Sequence, residues 1–371
     1  ITESHEPGST FKLVDLIAVL DDKKADTSKI YDSKGGVIEY YGRKVRDSKP
    51  GGYGKISLAR GFELSSNTVL VQSVYDSYKN NPKQFVDRIN SYGLNKPLGL
   101  PIKGEGKPVI PQPGTNRWSG VALPWMAFGY GLSVTPLQTL TLYNAVANDG
   151  VMVKPIFVSE IKEWNKTIKK YNTEVINPKI CSQETLDKVQ AVLENVVKRG
   201  TGSKLYSKDF SMAGKTGTAQ VNYKDKSKLY YASSFVGYFP ADEPKYSCII
   251  VVHKPNVAAG YYGADVAGPV FKRIAQKIFT DSPSTNHVKN IDAKVVSQEK
   301  NYSEYYKKVE KEERIIPNVK GMDGMDAVAL LENLGLKVKV IGVGRVKKQS
   351  LTSGQAFNKN QTIIIELSWS N

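Results

Sequence analysis

A turn, a serine and a lysine at the head of a long apolar run constrain this chain more than any other feature. Pro7-Gly8 supplies the turn, Ser9 and Lys12 follow it, and an apolar run extends from Leu13 to Leu20. This order predicts a helix that begins near Ser9. Because side chains three residues apart share one helix face, we expect the hydroxyl and the ammonium group to lie side by side. Such a pair is a candidate nucleophile with an internal base.

The same spacing occurs twice more in the chain, so the motif alone is weak support for a site. Ser159 and Lys162 follow the strand-like residues 156–158, and Ser297 and Lys300 lie in a polar stretch. Most single matches of this kind are chance occurrences on the protein surface and have no catalytic role. The serine at position 9 is distinguished only by the motifs that accompany it downstream.

Two further motifs follow in chain order. Ser65-Ser66-Asn67 precedes a short apolar segment, and Lys215-Thr216-Gly217-Thr218 follows Met212-Ala213-Gly214. Taken singly, the first motif is explained by a helix cap and the second by a polar turn. Taken together and in this order, the three motifs are those of β-lactamases and penicillin-binding proteins.

Longer segments extend this likeness over residues 1–280. On them the chain resembles a class B penicillin-binding protein, a peptidoglycan D,D-transpeptidase. The resemblance implies an α+β domain with the penicillin-binding serine transpeptidase fold, in which helices flank an antiparallel sheet. The segments concerned are Glu6-Pro7-Gly8-Ser9-Thr10-Phe11-Lys12, Phe128-Gly129-Tyr130-Gly131, Val134-Thr135-Pro136-Leu137-Gln138, Gly214 to Thr218 and Phe235-Val236-Gly237-Tyr238-Phe239-Pro240.

The resemblance also implies catalytic roles. Ser9 attacks the carbonyl carbon of the penultimate D-Ala of a stem peptide, and Lys12 accepts its proton. Ser65 relays a proton to the leaving amine, while Asn67 orients Lys12 and the substrate amide. A free lysine has a pKa of about 10.4, so that of Lys12 must fall by about three units, or about 4 kcal/mol, for it to act as a base. Burial, the positive end of its helix and the second cation Lys215 all act in that direction.

The last motif is assigned to substrate binding. By resemblance, Lys215, Thr216 and Thr218 hold the terminal carboxylate of the stem peptide, and Gly217 lets the backbone come close. The backbone N–H groups of Ser9 and Thr218 form the oxyanion hole. The prediction includes no metal ion and no cofactor.

Helix and strand patterns agree with a mixed domain. Thr135 begins a helix with a first-turn proline and a capping-box glutamine, and apolar periodicity predicts another helix from Ser182 to Arg199. Residues 232–239 and 246–252 are predicted as paired strands, and residues 265–279 as a closing helix. This order indicates an α+β domain with an antiparallel sheet.

Three other stretches complete the predicted domain plan, in which residues 1–280 form the transpeptidase domain. The Gly- and Pro-rich residues 98–124 are predicted to be an irregular wall on the substrate side. Residues 281–314 are polar with charges of both signs, which predicts a linker with room for a short helix. Residues 315–371 are predicted to form a compact second unit.

The second unit resembles the PASTA module of some penicillin-binding proteins and kinases, a small α/β domain. Leu351 stands where that family usually has proline. Asp323 predicts the cap of one helix, and residues 336–340 and 362–367 are predicted as strands. A docking role and glycan binding both stay open. The resemblance rests on Pro317-Asn318-Val319-Lys320-Gly321, Gly335-Leu336-Lys337-Val338, Gly342-Val343-Gly344 and Gln349-Ser350.

The charge of the chain limits the kinds of partner molecule that we expect it to bind. Lysine and arginine number 52 against 36 acidic residues, a net charge of +16. The excess indicates either an ordinary basic surface or attraction to anionic envelope material or an acidic membrane leaflet. Nucleic acid is not expected as a partner, because the lysines are dispersed and no binding motif accompanies them.

Cys181 and Cys248 are predicted to be buried free thiols, since neither has a metal-site partner at usable spacing.

The resemblance implies a location at the extracytoplasmic face of the bacterial cytoplasmic membrane. Expected partners are peptidoglycan stem peptides, β-lactam antibiotics and membrane proteins of cell-wall synthesis, such as a glycosyltransferase and the divisome. The family has sheet strands, a pedestal domain and a membrane-anchoring helix before the nucleophile. We therefore interpret the chain as a truncated or processed product.

Other functions stay open at this point. D,D-carboxypeptidases and β-lactamases resolve the acyl-enzyme with water, although no segment here clearly resembles a deacylating glutamate. A penicillin-binding sensor keeps the same motif residues. A Ser-His-Asp hydrolase is disfavoured, because the chain has no Gly-x-Ser-x-Gly elbow.

Overall fold

The chain forms two compact units. The computed structural model describes residues 3–164, 166–221, 229–281 and 314–368. Contacts divide the chain into Ile1–Pro283 and Ser284–Asn371. Most of the predicted linker, and the serine–lysine pair at positions 297 and 300, lie outside the described residues. The domain limits at 280 and 315 stay a prediction.

The first unit contains both helices and strands. The α-helices are α1 Lys12–Asp21, α2 Leu58–Glu63, α3 Asn67–Tyr78, α4 Pro82–Ser91, α5 Ala122–Met126, α6 Pro136–Ala147, α7 Gln183–Arg199 and α8 Gly263–Asp281. The strands are β1 Ile30–Asp32, β2 Val37–Tyr40, β3 Arg43–Arg46, β4 Lys55–Ser57, β5 Met152–Val153, β6 Glu160–Glu163, β7 Lys166–Lys170, β8 Val175–Asn177, β9 Ala213–Val221, β10 Tyr230–Phe239 and β11 Tyr246–His253.

An antiparallel sheet with the order β11-β10-β9 organises this unit. Side chains alternate along β10, as the strand period requires. Phe235 and Phe239 pack with Phe271 of α8 on one face, while Val236 and Tyr238 join the main core on the other. Helices therefore flank the sheet, and the predicted fold and the two predicted strands are confirmed.

Local signals explain where the helices begin. Thr135 and Gln138 form the predicted capping box of α6, and the Ser182 side chain caps α7. Helix α1 is buried from Lys12 to Leu20, as expected for a helix that is apolar on nearly all sides. The predicted closing helix is α8.

Two other predictions about the first unit were less successful. Residues 156–158 follow a strand-like pattern but are exposed and irregular, and the strand β6 begins only after Ser159. Residues 98–121 are irregular as predicted, but residues 122–124, which were predicted to be irregular too, belong to α5.

The second unit has one helix on a three-stranded sheet in its described part. Helix α9 spans Gly324–Asn333 and is capped by Asp323, as predicted. Strands β12 Lys337–Ile341, β13 Arg345–Gln349 and β14 Thr362–Ser368 have the order β12-β14-β13. The sequence patterns missed β13. The core is apolar and contains Ile316, Val319, Met322, Ala327, Leu330, Leu331, Leu336, Val346, Phe357, Ile363 and Ile365.

Both cysteines are free thiols, Cys181 buried and Cys248 partly exposed. No helix in the described residues is both long enough and apolar enough to span a bilayer.

Candidate active site

The candidate nucleophile lies in a tight turn that leads into α1. Residues Gly8–Phe11 form a short 3₁₀ helix, and the backbone N–H of Lys12 donates to Ser9 O. Residues three apart eclipse in this helix type, which aligns Ser9 with Lys12. The helical segment thus starts where it was predicted, with a tighter first turn. Ser9 is partly exposed and lines a cleft, whereas Lys12 is fully buried.

The ammonium nitrogen of Lys12 is held by the second motif. It donates to Ser65 O at 2.7 Å, to Ser65 Oγ at 3.2 Å and to Asn67 Oδ1 at 2.6 Å. Within the described structure its hydrogen bonds go to these oxygens rather than to Ser9 Oγ. Catalytic hydrogen bonds often tighten only when substrate is bound. The structure therefore brings together the predicted base, relay and orienting residue.

The second motif also caps a helix, but the residue that makes the cap differs from the two residues that contact Lys12. Ser66 caps α3 by accepting from the backbone N–H of Val69. Ser65 sits just before the cap with φ 57°, a conformation that non-glycine residues adopt only when their surroundings require it. Asn67 donates from Nδ2 to Arg46 O at 2.7 Å, which turns its oxygen toward Lys12.

Burial makes Lys12 a plausible base near neutral pH. It lowers the pKa of Lys12 from 10.5 to about 7, against the opposing influence of Asp47 and Asp15. This is the fall of about three units that the chemistry requires. Asp15 is itself fully buried, and its carboxylate oxygens lack hydrogen-bond partners in the described structure. Burial raises the pKa of Asp15 well above its ordinary value.

Lys215 is buried on β9, next to Thr216 in the chain. Its side chain is fully buried, its Nζ donates to Thr216 O at 3.2 Å and lies 5.6 Å from the centre of the Phe62 ring. Burial, and then the nearby Lys12, lower the pKa of Lys215 well below its ordinary value. The described residues that line the cleft do not include Lys215. Its contact with a substrate carboxylate stays a prediction.

Strand β9 presents two hydroxyl groups to the cleft. Thr216 and Thr218 alternate along the strand and both line the cleft, so they share its cleft-facing side. Thr218 Oγ1 accepts from the N–H of Gly263 at 3.1 Å, which leaves its own proton available. These positions agree with the predicted binding role.

Gly217 is required for packing in this structure. A Cβ at this position would lie 2.2 Å from Ser234 Oγ and 2.8 Å from Thr10 Cγ2. Only glycine therefore lets the turn that carries Ser9 lie directly against β9. The predicted reason was close approach to substrate, which is a different contact.

The cleft has a volume of about 510 Å³. Tyr130 lines it, and Tyr130 Oη accepts from the N–H of Gln220 at 2.9 Å. Residues 98–124 are not among the described residues that line the cleft, and their role as a wall on the substrate side stays a prediction. The cleft is lined by Ser9, Arg46, Asp47, Ser48, Ser65, Asn67, Tyr130, Thr201, Lys204, Thr216, Thr218, Gln220, Tyr231, Tyr261, Tyr262, Gly263, Ala264 and Asp265.

Two known protein domains match the sequence of this chain. The penicillin-binding protein transpeptidase domain matches residues 1–276, and the PASTA domain matches residues 314–368. The chain belongs to the penicillin-binding protein transpeptidase family. The matches agree with both resemblances inferred from the motifs.

Curated relatives carry related names. The chain is 29% identical to stage V sporulation protein D of Bacillus subtilis, over 99% of this chain and 54% of that protein. It is 30% identical to the penicillin-binding protein PbpB of Mycolicibacterium smegmatis and 28% identical to the peptidoglycan D,D-transpeptidase FtsI of Escherichia coli, in each case over 74% of this chain and 43% of the relative. The chain thus spans about half the length of these relatives.

Solved structures share the transpeptidase fold. Penicillin-binding protein 3 from Mycobacterium tuberculosis superposes with a TM-score of 0.66 at 27% identity, over 76% of this chain and 64% of that chain. The same protein in complex with ampicillin superposes with a TM-score of 0.66, over 77% of this chain and 65% of that chain.

Proposed function

We propose that this protein is a peptidoglycan D,D-transpeptidase, which cross-links stem peptides through a serine acyl-enzyme and is acylated by β-lactams. The observation that carries the proposal is the buried Lys12 amine, held by Ser65 and Asn67 at the edge of the cleft that Ser9 lines. The name of the E. coli relative and the ampicillin complex of the M. tuberculosis protein support it.

In the first half-reaction a peptide bond is exchanged for an ester. Ser9 Oγ attacks the carbonyl carbon of the penultimate D-Ala and gives its proton to the neutral Lys12 amine. The C–N bond then breaks, and the leaving D-Ala amine receives a proton through Ser65 Oγ. Lys12 Nζ lies 3.2 Å from Ser65 Oγ, so the proton has a short path from base to leaving group.

In the second half-reaction an amine of a neighbouring stem peptide attacks the ester carbonyl. The attacking amine loses its proton along the same path, the C–O bond to Ser9 breaks, and Ser9 Oγ regains a proton. Water takes the place of the amine in a carboxypeptidase or a β-lactamase. The identity of the acceptor therefore separates these functions.

The strand motif binds the acyl donor in this proposal. The hydroxyls of Thr216 and Thr218 hold the terminal carboxylate, and the backbone N–H groups of Ser9 and Thr218 stabilise the oxyanion, a contribution of about 3 to 4 kcal/mol per donor. Lys215, whose Nζ donates to Thr216 O, supports Thr216 from the buried side of the same strand. The turn that carries Ser9 packs on β9 close to Thr218, which supports a shared oxyanion site.

Location and partners follow from this substrate. Peptidoglycan is built outside the cytoplasm, so we propose that the protein works at the extracytoplasmic face of the membrane with other cell-wall synthesis proteins. The net charge of +16 favours association with an anionic envelope.

A covalent labelling experiment tests the function. Fluorescent penicillin is expected to label the protein stably, and Ser9→Ala is expected to abolish the label because no nucleophile remains. Ser159→Ala is a matched control, since Ser159 has the same spacing to a lysine but lies just before a strand. Rapid loss of the label would indicate a β-lactamase. Hydrolysis of a stem-peptide mimic without incorporation of an added amine would indicate a carboxypeptidase.

A further inference from the structure

Thr201 is a cleft residue that none of the three motifs contains. It lines the cleft, and its hydroxyl lies 2.7 Å from the hydroxyl of Thr216. The two threonines come from different elements, since Thr201 follows the end of α7 and Thr216 belongs to β9. At this distance one hydroxyl donates to the other; a carboxylate that reaches both would let each turn its single proton to it.

The backbone before Thr201 is fixed against the end of α2. The N–H of Thr201 donates to Glu63 O at 3.0 Å. Gly200 makes this approach possible, because a Cβ there would lie 2.4 Å from Glu63 O. A larger residue at position 200 would push Thr201 away from Thr216.

The side chain of Glu63 adds further contacts between the end of α2 and the end of α7. It is fully buried and accepts from Arg60 Nη1 and from Arg199 Nη2, each at 2.8 Å. Arg60 Nη1 also donates to Arg199 O at 3.1 Å. Pairing offsets the cost of burying a charge, and here it joins the end of α2 to the end of α7.

The same short segment leads to the strained serine of the second motif. Ser65 follows Glu63 by two residues, has φ 57°, and its N–H donates to Phe62 O at 2.9 Å. A strained conformation persists only where neighbouring contacts determine it. Glu63 therefore lies between the two cleft walls that carry Ser65 and Thr216.

We propose that Thr201 is a further substrate-contacting residue, which adds a second hydroxyl beside Thr216 for the carboxylate of the acyl donor, and that Glu63 is the positioning residue that holds it there. The inference rests on the proposed function, because the carboxylate belongs to the stem peptide or to a β-lactam. A site built to hydrogen-bond a group rejects analogues that lack it.

A pair of ligands isolates this contact. Benzylpenicillin and its methyl ester share the reactive ring and differ at the carboxylate, so the ratio of their acylation rate constants measures carboxylate recognition. Thr201→Val is expected to lower the benzylpenicillin constant about tenfold, as for one hydrogen bond to a charged group, and to leave the ester constant unchanged. Thr201→Ser is expected to restore the ratio. Intact-protein mass spectrometry follows the adduct.

Control variants separate recognition from damage to the fold. Thr141→Val removes a hydroxyl that donates to Leu137 O away from the cleft, and it is expected to leave both constants unchanged. Glu63→Gln is expected to lower the acid-to-ester ratio as Thr201→Val does. Asp22→Asn removes a partner of Arg88 far from the motifs and is expected to lower the melting temperature without changing the ratio.

The outcomes distinguish this inference from the proposed function. An unaltered protein that no penicillin acylates would overturn both. A labelled protein in which Thr201→Val lowers the acid and ester constants equally, or changes neither, would overturn the inference alone. An unchanged ratio in Glu63→Gln would overturn the positioning role.

Discussion

The two units of this protein bury very different side chains. The first encloses Lys12, Asp15, Glu63 and Lys215, each fully buried and each ionisable. In the second, the described core residues are apolar, with Leu331 at the centre of α9 among them. Charged groups lose their hydration when buried, so the first unit maintains groups that oppose its own stability. Such groups are retained where chemistry needs a shifted pKa.

The difference teaches where function resides in the chain. Lys12 lies at the edge of the cleft with Ser65 and Asn67, it lowers the pKa of Lys215, and the pKa values of Lys12 and Asp15 depend on each other. The second unit follows the ordinary pattern of a small stable domain, with a capped helix over a sheet. Variants in the two units should therefore separate activity from stability.

The largest effect is expected from Lys12→Met. Methionine fills a similar volume but cannot accept a proton, and loss of a general base costs about 10³-fold in rate. Acylation by penicillin should fall by about that factor, as measured by stopped-flow or mass spectrometry. Lys188→Met on α7 is the matched control, because Lys188 pairs with Asp26 and Glu184 and none of the three lines the cleft; this variant should acylate normally. A Lys12→Met protein that keeps the full rate and the native circular dichroism spectrum would remove the lysine from the mechanism.

A stability effect of comparable size is expected from Leu331→Ala in the second unit. Leu331 is fully buried, and truncating such a leucine costs about 2 to 5 kcal/mol. The melting transition of that unit should move down while penicillin acylation stays unchanged. Met325→Ala on the same helix is the control, because Met325 is 80% exposed. Loss of acylation in Leu331→Ala would contradict the separation of activity from stability.

Much of the first unit could be predicted because the signals are local. The capping box at Thr135 and the apolar face of α7 each depend on neighbours in sequence. The apolar residues 156–158 misled the prediction, because a short apolar run cannot show whether another layer covers it. They are exposed in the structure.

The site itself was predictable only in part. The motifs named Lys12, Ser65 and Asn67, which the structure brings together. They did not indicate that Lys215 is fully buried while Thr216 and Thr218 line the cleft, although neighbours on a strand point to opposite sides. Thr201 carries no local signal, since only the contact between α2 and α7 brings it to Thr216.

The pH dependence of acylation tests whether Lys12 is a base with a lowered pKa. Benzylpenicillin keeps its charge across the range, so the profile reports the protein. With a Lys12 pKa of about 7, the rate constant should rise about tenfold per pH unit below 7 and level off above it.

The same lowered pKa also affects stability. Between about pH 7 and pH 10.5 the lysine at position 12 is protonated in the unfolded chain and neutral in the folded one. The free energy of unfolding contributed by this group is therefore greatest above 10.5 and is lost as the pH falls toward 7.

Asp47→Asn should move that profile in a defined direction. Asp47 favours the charged form of Lys12 and so opposes the fall in its pKa. Removing the carboxylate should lower the pKa of Lys12 further, and the inflection should move to lower pH by a fraction of a unit. Asn keeps one acceptor oxygen for the N–H of Thr68 but loses the acceptor of the Thr68 hydroxyl; the Ser66 cap of α3 does not depend on Asp47 as an acceptor, so a native circular dichroism spectrum is the control for the fold. An inflection that does not move, or that moves to higher pH, would mean that the profile reports another group and that Lys12 is not the base.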